Sequence, residues 1–307
     1  MSRLREALAD YLSVRRAMGY KLERAGKLLA QFVGYLDDAG AVTVTIDHAV
    51  AWATLPDGDV NWHAHRLSVV RGFAKWLSTI DPATEVPPAD LLPERSKRAT
   101  PFIYSDEELA GLLAATDILQ GTVRQATYRT LLGLLSVTGM RVGEAIRLDR
   151  GDLDMDLGVL LIRSTKFGKD RQIPLHPTTT RALADYLELR DRHFPPSGTP
   201  AVFVSGAGTR LLYCNVNWTF LKLVDHAGLK PRSASCRPTI HGLRHSFAVS
   251  TVLDAYRTGV DVQARLPLLT TYLGHVHPAN TYWYLSAAPE LLAAAGQRLQ
   301  DHLDGSR

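Results

Sequence analysis

Cysteine is almost missing from this 307-residue sequence, with only Cys214 and Cys236 present. They form no CxxC pair, so neither a thiolate zinc site nor the disulfide framework of a small secreted domain is available. A reducing cytoplasm is the expected setting. Long hydrophobic runs are missing too: nothing approaches the ~20 apolar residues that a membrane-spanning helix needs. The N-terminus, MSRLREALADYLSVRRAMGY, breaks its apolar positions with acids and bases, unlike the continuous apolar core of a signal peptide. Internal repeats and low-complexity tracts are absent. Charge of one sign is scarce in net terms, since 35 Lys and Arg against 31 Asp and Glu leave +4. That balance tolerates a phosphate-rich partner without demanding one.

Hydrophobic residues make up 46% and charged residues 21%, the composition of a globular protein with real cores. The length suits two domains of roughly 100–200 residues each. Apolar positions recur at helical spacing from Leu4 to Met18, with Gly19 as a stop, and again from Leu22 to Leu36, ending near Gly40. Thr45 can cap a third helix through Val50 and Trp52, and a fourth carries Trp62, Leu67, Val70, Phe73, Trp76 and Leu77. Residues 1–80 are thus expected to be an all-helical domain.

Between Asp81 and Pro101 five prolines interrupt any helix, and Arg95, Lys97 and Arg98 form a basic cluster. Residues 81–103 are read as a linker, and its basic cluster as either a solvated loop or a contact to DNA backbone. A second domain, 104–307, opens on Ser105 and Glu108 at capping-box spacing. Its pattern is helical except for Val159–Ile162 and Arg171–Leu175, two short strands joined by a Lys/Gly turn. Further helices are expected at 178–193, 214–227, 241–256 and 289–303. The fold class is mainly α with a small antiparallel sheet, an α+β arrangement in two domains.

Three segments carry chemistry. Thr138-Gly139-Met140-Arg141-Val142-Gly143-Glu144 puts an arginine just past a glycine, where one helix ends and another begins. Alone, Arg141 reads as a helix arginine pairing with Glu144. In His241-Gly242-Leu243-Arg244, three positions separate the imidazole from the guanidinium, so on a helix they share a face. A guanidinium forks onto phosphate oxygens, and an imidazole beside it can move a proton near neutral pH. The third segment is Leu273-Gly274-His275 followed by Thr281-Tyr282-Trp283-Tyr284. A histidine there can simply end a helix, and paired tyrosines can be packing. His277 lies two positions past His275, but no third ligand is near, so no metal is expected.

Taken together and in this order, the segments resemble the tyrosine recombinase family, which includes phage integrases and the Xer and Cre recombinases. The family pattern is an arginine in TGxRxxE, a lysine in a β-hairpin, HxxR, LGH, and a tyrosine nine positions beyond that histidine. Arg141 with Glu144, then His241 with Arg244, then His275 fill the boxes, and the nine-residue step selects Tyr284 over Tyr282. The hairpin reads Ser164-Thr165-Lys166-Phe167-Gly168-Lys169-Asp170-Arg171 and offers two lysines. Family position favours Lys166, which leaves Lys169 as a DNA-backbone contact or a solvated turn lysine. Phe167 stands where the family usually has a glycine.

The resemblance implies site-specific DNA cleavage and rejoining through a 3′-phosphotyrosyl link formed by Tyr284, in integration, transposition or recombination of a mobile element. Arg141 and Arg244 would clamp the phosphate, Lys166 would protonate the departing 5′-oxygen, His241 would help take the tyrosine proton, and His275 would donate to the phosphate. No cofactor is implied. Double-stranded DNA is the implied partner, with a homotetramer on DNA, possible additional partner recombinases, no membrane, and a place in the bacterial cytoplasm with the nucleoid. Residues 1–80 would be the core-binding half of a DNA clamp, and the C-terminal helix would dock on a neighbouring subunit or its own. Two other readings are compatible with the residues: a DNA-binding accessory protein without turnover, and a type IB topoisomerase.

Overall fold

The structure is a computed structural model, and it describes residues 2–93, 100–163, 170–194, 198–274 and, further on, residues 291, 293, 296 and 300. The chain divides into two compact units, Met1–Arg98 and Ala99–Arg307.

The first unit holds α1 (Arg3–Ala17), α2 (Glu23–Asp38), α3 (Ile46–Thr54) and α4 (Val60–Leu77). Each begins for a local reason. The Ser2, Thr45 and Asp59 side chains accept from backbone N–H groups of the first turns of α1, α3 and α4, filling donors that a helix start otherwise leaves open. The apolar stripes expected from periodicity meet in one core, with Leu29, Phe32, Leu36, Trp52, Leu67, Val70 and Phe73 almost fully enclosed. Met18 does not join them; it caps α1 and stays exposed. Arg66 is buried inside this unit, its guanidinium 3.6 Å above the Trp52 ring and donating to the Trp52 carbonyl at 2.6 Å. A stacked cation with a filled donor makes such burial tolerable.

The proline-rich stretch that follows is strapped down at its start. Ile46 N–H donates to the Glu85 carboxylate at 2.7 Å, Glu85 N–H to the Val44 carbonyl at 2.8 Å, and Arg71 to the carbonyls of Pro87 and Pro88 at 2.8 and 2.7 Å. Prolines cannot supply ladder donors, so side chains of the helical unit hold the strap instead. The basic cluster Arg95, Lys97 and Arg98 lies outside the described residues.

The second unit contains α5 (Asp106–Ala114), α6 (Thr122–Thr138), α7 (Val142–Arg147), β1 (Leu153–Asp154), β2 (Val159–Ile162), β3 (Arg171–Pro174), α8 (Pro177–His193), α9 (Tyr213–His226), α10 (Ile240–Arg257) and α11 (Val262–Leu273). The three strands form one antiparallel sheet in the order β1-β2-β3, with Ile162 opposite Arg171 and Leu160 opposite Ile173. The mainly helical fold with a small sheet is therefore present. Ser105 and Glu108 form the reciprocal capping box that starts α5. α6 runs through the main core, where Leu131, Leu132 and Leu135 pack with Leu160, Ile173, Phe203 and Phe220. Beside it, α10 and α11 share a second core around Val249, Val252, Leu269 and Leu273, which Leu291 also enters.

α11 was not foreseen, because Pro267 sits inside it and proline normally ends a helical pattern. Asp261 caps its start with two backbone N–H bonds, and the Leu266 and Leu269 contacts bury its inner face. Burial and capping outweigh the missing hydrogen bond. Residues 291, 293, 296 and 300 are helical, within the expected 289–303 helix.

Candidate active site

α6 ends at Gly139, whose φ of +58° is the left-handed turn that a glycine adopts without strain. The side left bare by that glycine is filled: an added Cβ would lie 2.4 Å from the Phe247 ring of α10. Two residues later the chain turns into α7 with Arg141 at its N-cap, in extended conformation rather than inside a helix. Glu144, at the third position of α7, turns back and accepts the Arg141 backbone N–H at 2.8 Å. A guanidinium has no acceptor, so the Arg141 side chain cannot return the favour. It donates instead to Glu144 Oε1 at 2.9 Å and to the Gly274 carbonyl at 3.4 Å.

The expected Arg141–Glu144 pair is therefore present, but Glu144 is far more than a surface partner. Its side chain is 3% exposed and also receives a two-pronged bond from Arg171, at 2.7 and 3.2 Å. Burial alone would push its carboxyl up, yet Arg171 and then Arg141 more than offset that and hold it down at about 2.

α10 begins with Thr239, whose hydroxyl accepts the Gly242 N–H at 3.0 Å. The strap just before α5 crosses this helix start. Tyr104 donates its hydroxyl to the Thr239 carbonyl at 3.0 Å, and its backbone N–H to Ser246 Oγ at 2.7 Å. Gly242 is what lets the strap approach, since an added Cβ would lie 2.8 Å from both the Phe102 carbonyl and the Tyr104 ring. The first turn of α10 is clasped in this way, and it carries His241 and Arg244.

Arg244 is 1% exposed, and its guanidinium donates to the carbonyls of Gly139 at 2.8 Å and Leu273 at 2.6 Å. It joins the end of α6 to the end of α11. His241 is exposed to solvent along part of its ring, and His245 stands edge-on to it with centroids 4.6 Å apart. Burial, then the charges of Arg244 and Arg141, push its imidazolium down to about 4. The ring is neutral near pH 7.

Arg141 and His241 open onto one recess of about 710 Å³, with Glu144 and Thr239 in its wall. Arg147, Tyr213 and Asn217 also line it, three residues with no distinguishing spacing in the sequence. Arg244 lies behind it, buried. α11 ends at Gly274, with φ +67°, so His275 directly follows a turn gripped by Arg141 and Arg244. His275, Tyr284 and its competitor Tyr282 lie outside the described residues, as do Lys166 and Lys169, between β2 and β3 in the sequence. Tyr272, one turn earlier, stacks on Phe247, and burial raises its phenol to about 12 despite the nearby Arg171 and Arg244. Among the described residues no group of His, Cys, Asp and Glu is arranged to hold a metal.

This arrangement brings two guanidinium groups, a neutral imidazole and the turn before His275 together from three separate segments. Residues 103–290 match the model of the phage integrase family. The chain belongs to the phage integrase family of tyrosine recombinases. The recombinase is 41% identical to the protein called integrase/recombinase y4rB in Sinorhizobium fredii, over 98% of each chain. It is 31% identical to tyrosine recombinase XerD of Xanthomonas campestris, over 75% of this chain and 69% of that one. Among solved structures, the fold is shared with the XerH site-specific recombinase in a post-cleavage complex with its difH substrate. That likeness has a TM-score of 0.63 at 19% identity, over 89% of this chain and 78% of that one. No helix among the described residues is long and apolar enough to cross a membrane.

Proposed function

We propose that this recombinase cuts and rejoins DNA at specific sites through a 3′-phosphotyrosyl intermediate, with Tyr284 as nucleophile. The observation that carries the reading is the shared recess: Arg141 and a neutral His241, far apart in the chain, open onto one hollow. Breaking a phosphodiester needs neutralised nonbridging oxygens, a base for the nucleophile and an acid for the leaving group. Arg141 fits the first task directly, because its guanidinium is part exposed and already aimed by Glu144. Arg244 contributes its charge from behind and fixes the turn that leads into His275.

In the forward step the Tyr284 oxygen bonds to phosphorus and its proton passes to His241. The bond from phosphorus to the 5′-oxygen breaks, and Lys166 gives that oxygen a proton. His275 donates to a phosphate oxygen. A phenol with an ordinary pKa of about 10 becomes competent where cations favour its anion. The phosphotyrosyl link keeps the bond's energy, so a 5′-hydroxyl of another strand can reverse the step without ATP.

Residues 1–80 are read as the core-binding half that contacts the duplex, 81–103 as the linker and 104–307 as the catalytic half. Arg95, Lys97 and Arg98, with Lys169, are assigned to DNA backbone, where cations position a duplex without reading its sequence. Strand exchange between two duplexes calls for four such sites, hence a homotetramer on DNA, serving a mobile element in the cytoplasm as an integrase or transposase. The test is a nicked suicide duplex carrying the ends of the element around the gene. The wild-type chain forms a covalent adduct and Tyr284→Phe forms none. An adduct that persists in Tyr284→Phe moves the nucleophile to Tyr282 or Tyr213, and no adduct with the wild type favours a binding role.

A further inference from the structure

Arg171, the first residue of β3, has no place in the chemistry above, yet its position is unusual. Its side chain is 12% exposed and meets the Glu144 carboxylate with both terminal nitrogens. On its other side it lies against the end of α11, where a Cβ added to Gly274 would come within 3.1 Å of its Nη1. Its Nε is buried without an acceptor.

Glu144 is saturated. Oε1 accepts from Arg141 Nη1 and Arg171 Nη1, and Oε2 accepts from the Arg141 backbone and Arg171 Nη2. Arg141 can take only the orientation that this carboxylate leaves to it. The Arg171 fork is what stops Glu144 from rotating, because two parallel bonds fix a plane where one would fix only a distance. A buried ion pair with an unfilled N–H is poor value as a stabiliser, since an apolar side chain of similar volume often does as well or better. What the pair provides is angle.

Three pieces meet there: β3 at Arg171, α7 through Glu144 and Arg141, and the end of α11 at Gly274. We propose that Arg171 is a positioning residue for strand cleavage, holding the Arg141 guanidinium and the α11 turn before His275 in one geometry. The inference rests on the cleavage reading above. Arg171 touches none of the reacting atoms and acts through Glu144 and Gly274.

The test uses the full chain and the nicked duplex on which the wild type forms its adduct. Cleavage is followed in a single turnover at saturating DNA, and affinity for the same duplex is measured separately. Because a misplacement of about 1 Å costs on the order of 100-fold in rate, Arg171→Gln should slow cleavage by about that factor. Its affinity should stay within about threefold of wild type by the same reasoning, since Arg171 does not line the recess. Arg171→Lys keeps the charge and loses the fork, so its rate should fall between the two with unchanged affinity. A merely structural residue would lower rate and affinity together, in step with the fraction of folded protein, and that outcome overturns the proposal. Cleavage by Arg171→Gln at the wild-type rate overturns it as well. If Arg171→Gln does not fold, Arg171→Lys decides alone: an impaired rate at full affinity supports the role and a wild-type rate removes it. Failure of the wild type to form an adduct sinks the cleavage reading and this inference with it, whereas a wild-type adduct with an unimpaired variant sinks the inference only.

Discussion

Replacing Glu144 with glutamine tests how much the buried carboxylate contributes to folding. In the native state its pKa is about 2 against a reference value of 4.5. A folded pKa below the unfolded one means that the stabilisation is present above pH 4.5 and is lost as pH falls toward 2. With about 1.36 kcal/mol per unit, the difference comes to roughly 3 kcal/mol at pH 7 and about 1.4 kcal/mol at pH 3. Removing one partner of a buried pair costs about 3–5 kcal/mol in other proteins, which agrees. Glu144→Gln should therefore destabilise the chain by about 3 kcal/mol at pH 7, and the gap between variant and wild type should shrink by about half at pH 3. Urea unfolding of both chains at the two pH values, followed by far-ultraviolet circular dichroism, measures this directly. The gap matters more than either stability, because other carboxylates titrate equally in both chains. A gap that stays constant from pH 7 to pH 3, or that is near zero at pH 7, would refute the claim that the two arginines hold this carboxyl down.

Two further outcomes follow from the clasped first turn of α10. Gly242→Ala places a Cβ 2.8 Å from the Phe102 carbonyl and the Tyr104 ring; forcing backbone apart costs about 1–3 kcal/mol, so the melting temperature should fall, and an unchanged value would mean that the strap yields freely. His241 is neutral in the free protein well above pH 5, and the pH profile of kcat/KM reports free-enzyme groups. That profile should therefore show no acid limb from an ordinary histidine near pH 6.5, and a limb there that disappears in His241→Gln would show that the imidazole titrates normally.

Most of the helices were legible because each carries its own start signal and an apolar stripe. Thr45, Asp59, Ser105 and Thr239 cap where the pattern begins. The hairpin was legible because a short apolar run, Val159–Ile162, is followed after a polar stretch by the short strand-like segment Arg171–Pro174, and the two pair as antiparallel neighbours. α11 was hidden by Pro267, whose effect on a helix depends on tertiary burial that periodicity does not report. At the site, Arg141, His241 and Arg244 stand out through their spacing to glycine and to each other. Arg171 does not, because its importance comes from facing Glu144 across 27 positions, and a contact between β3 and α7 leaves no local pattern. Tyr213 and Asn217 are hidden for the same reason, at the start of a helix that only the fold brings beside Arg141.

The grip of Arg141 and Arg244 on the carbonyls of Gly139, Leu273 and Gly274 has a bearing on timing. A free arginine carries about 2 kcal/mol of rotamer entropy that must be surrendered whenever it is pinned. Here the surrender happens when the chain folds, before any duplex arrives. A phosphate entering the recess would meet an Arg141 already held in place, with the charge of Arg244 fixed behind it, so part of the ordering cost of recognition is removed from the encounter. A first duplex and a second exchanged strand would meet the same immobile charges.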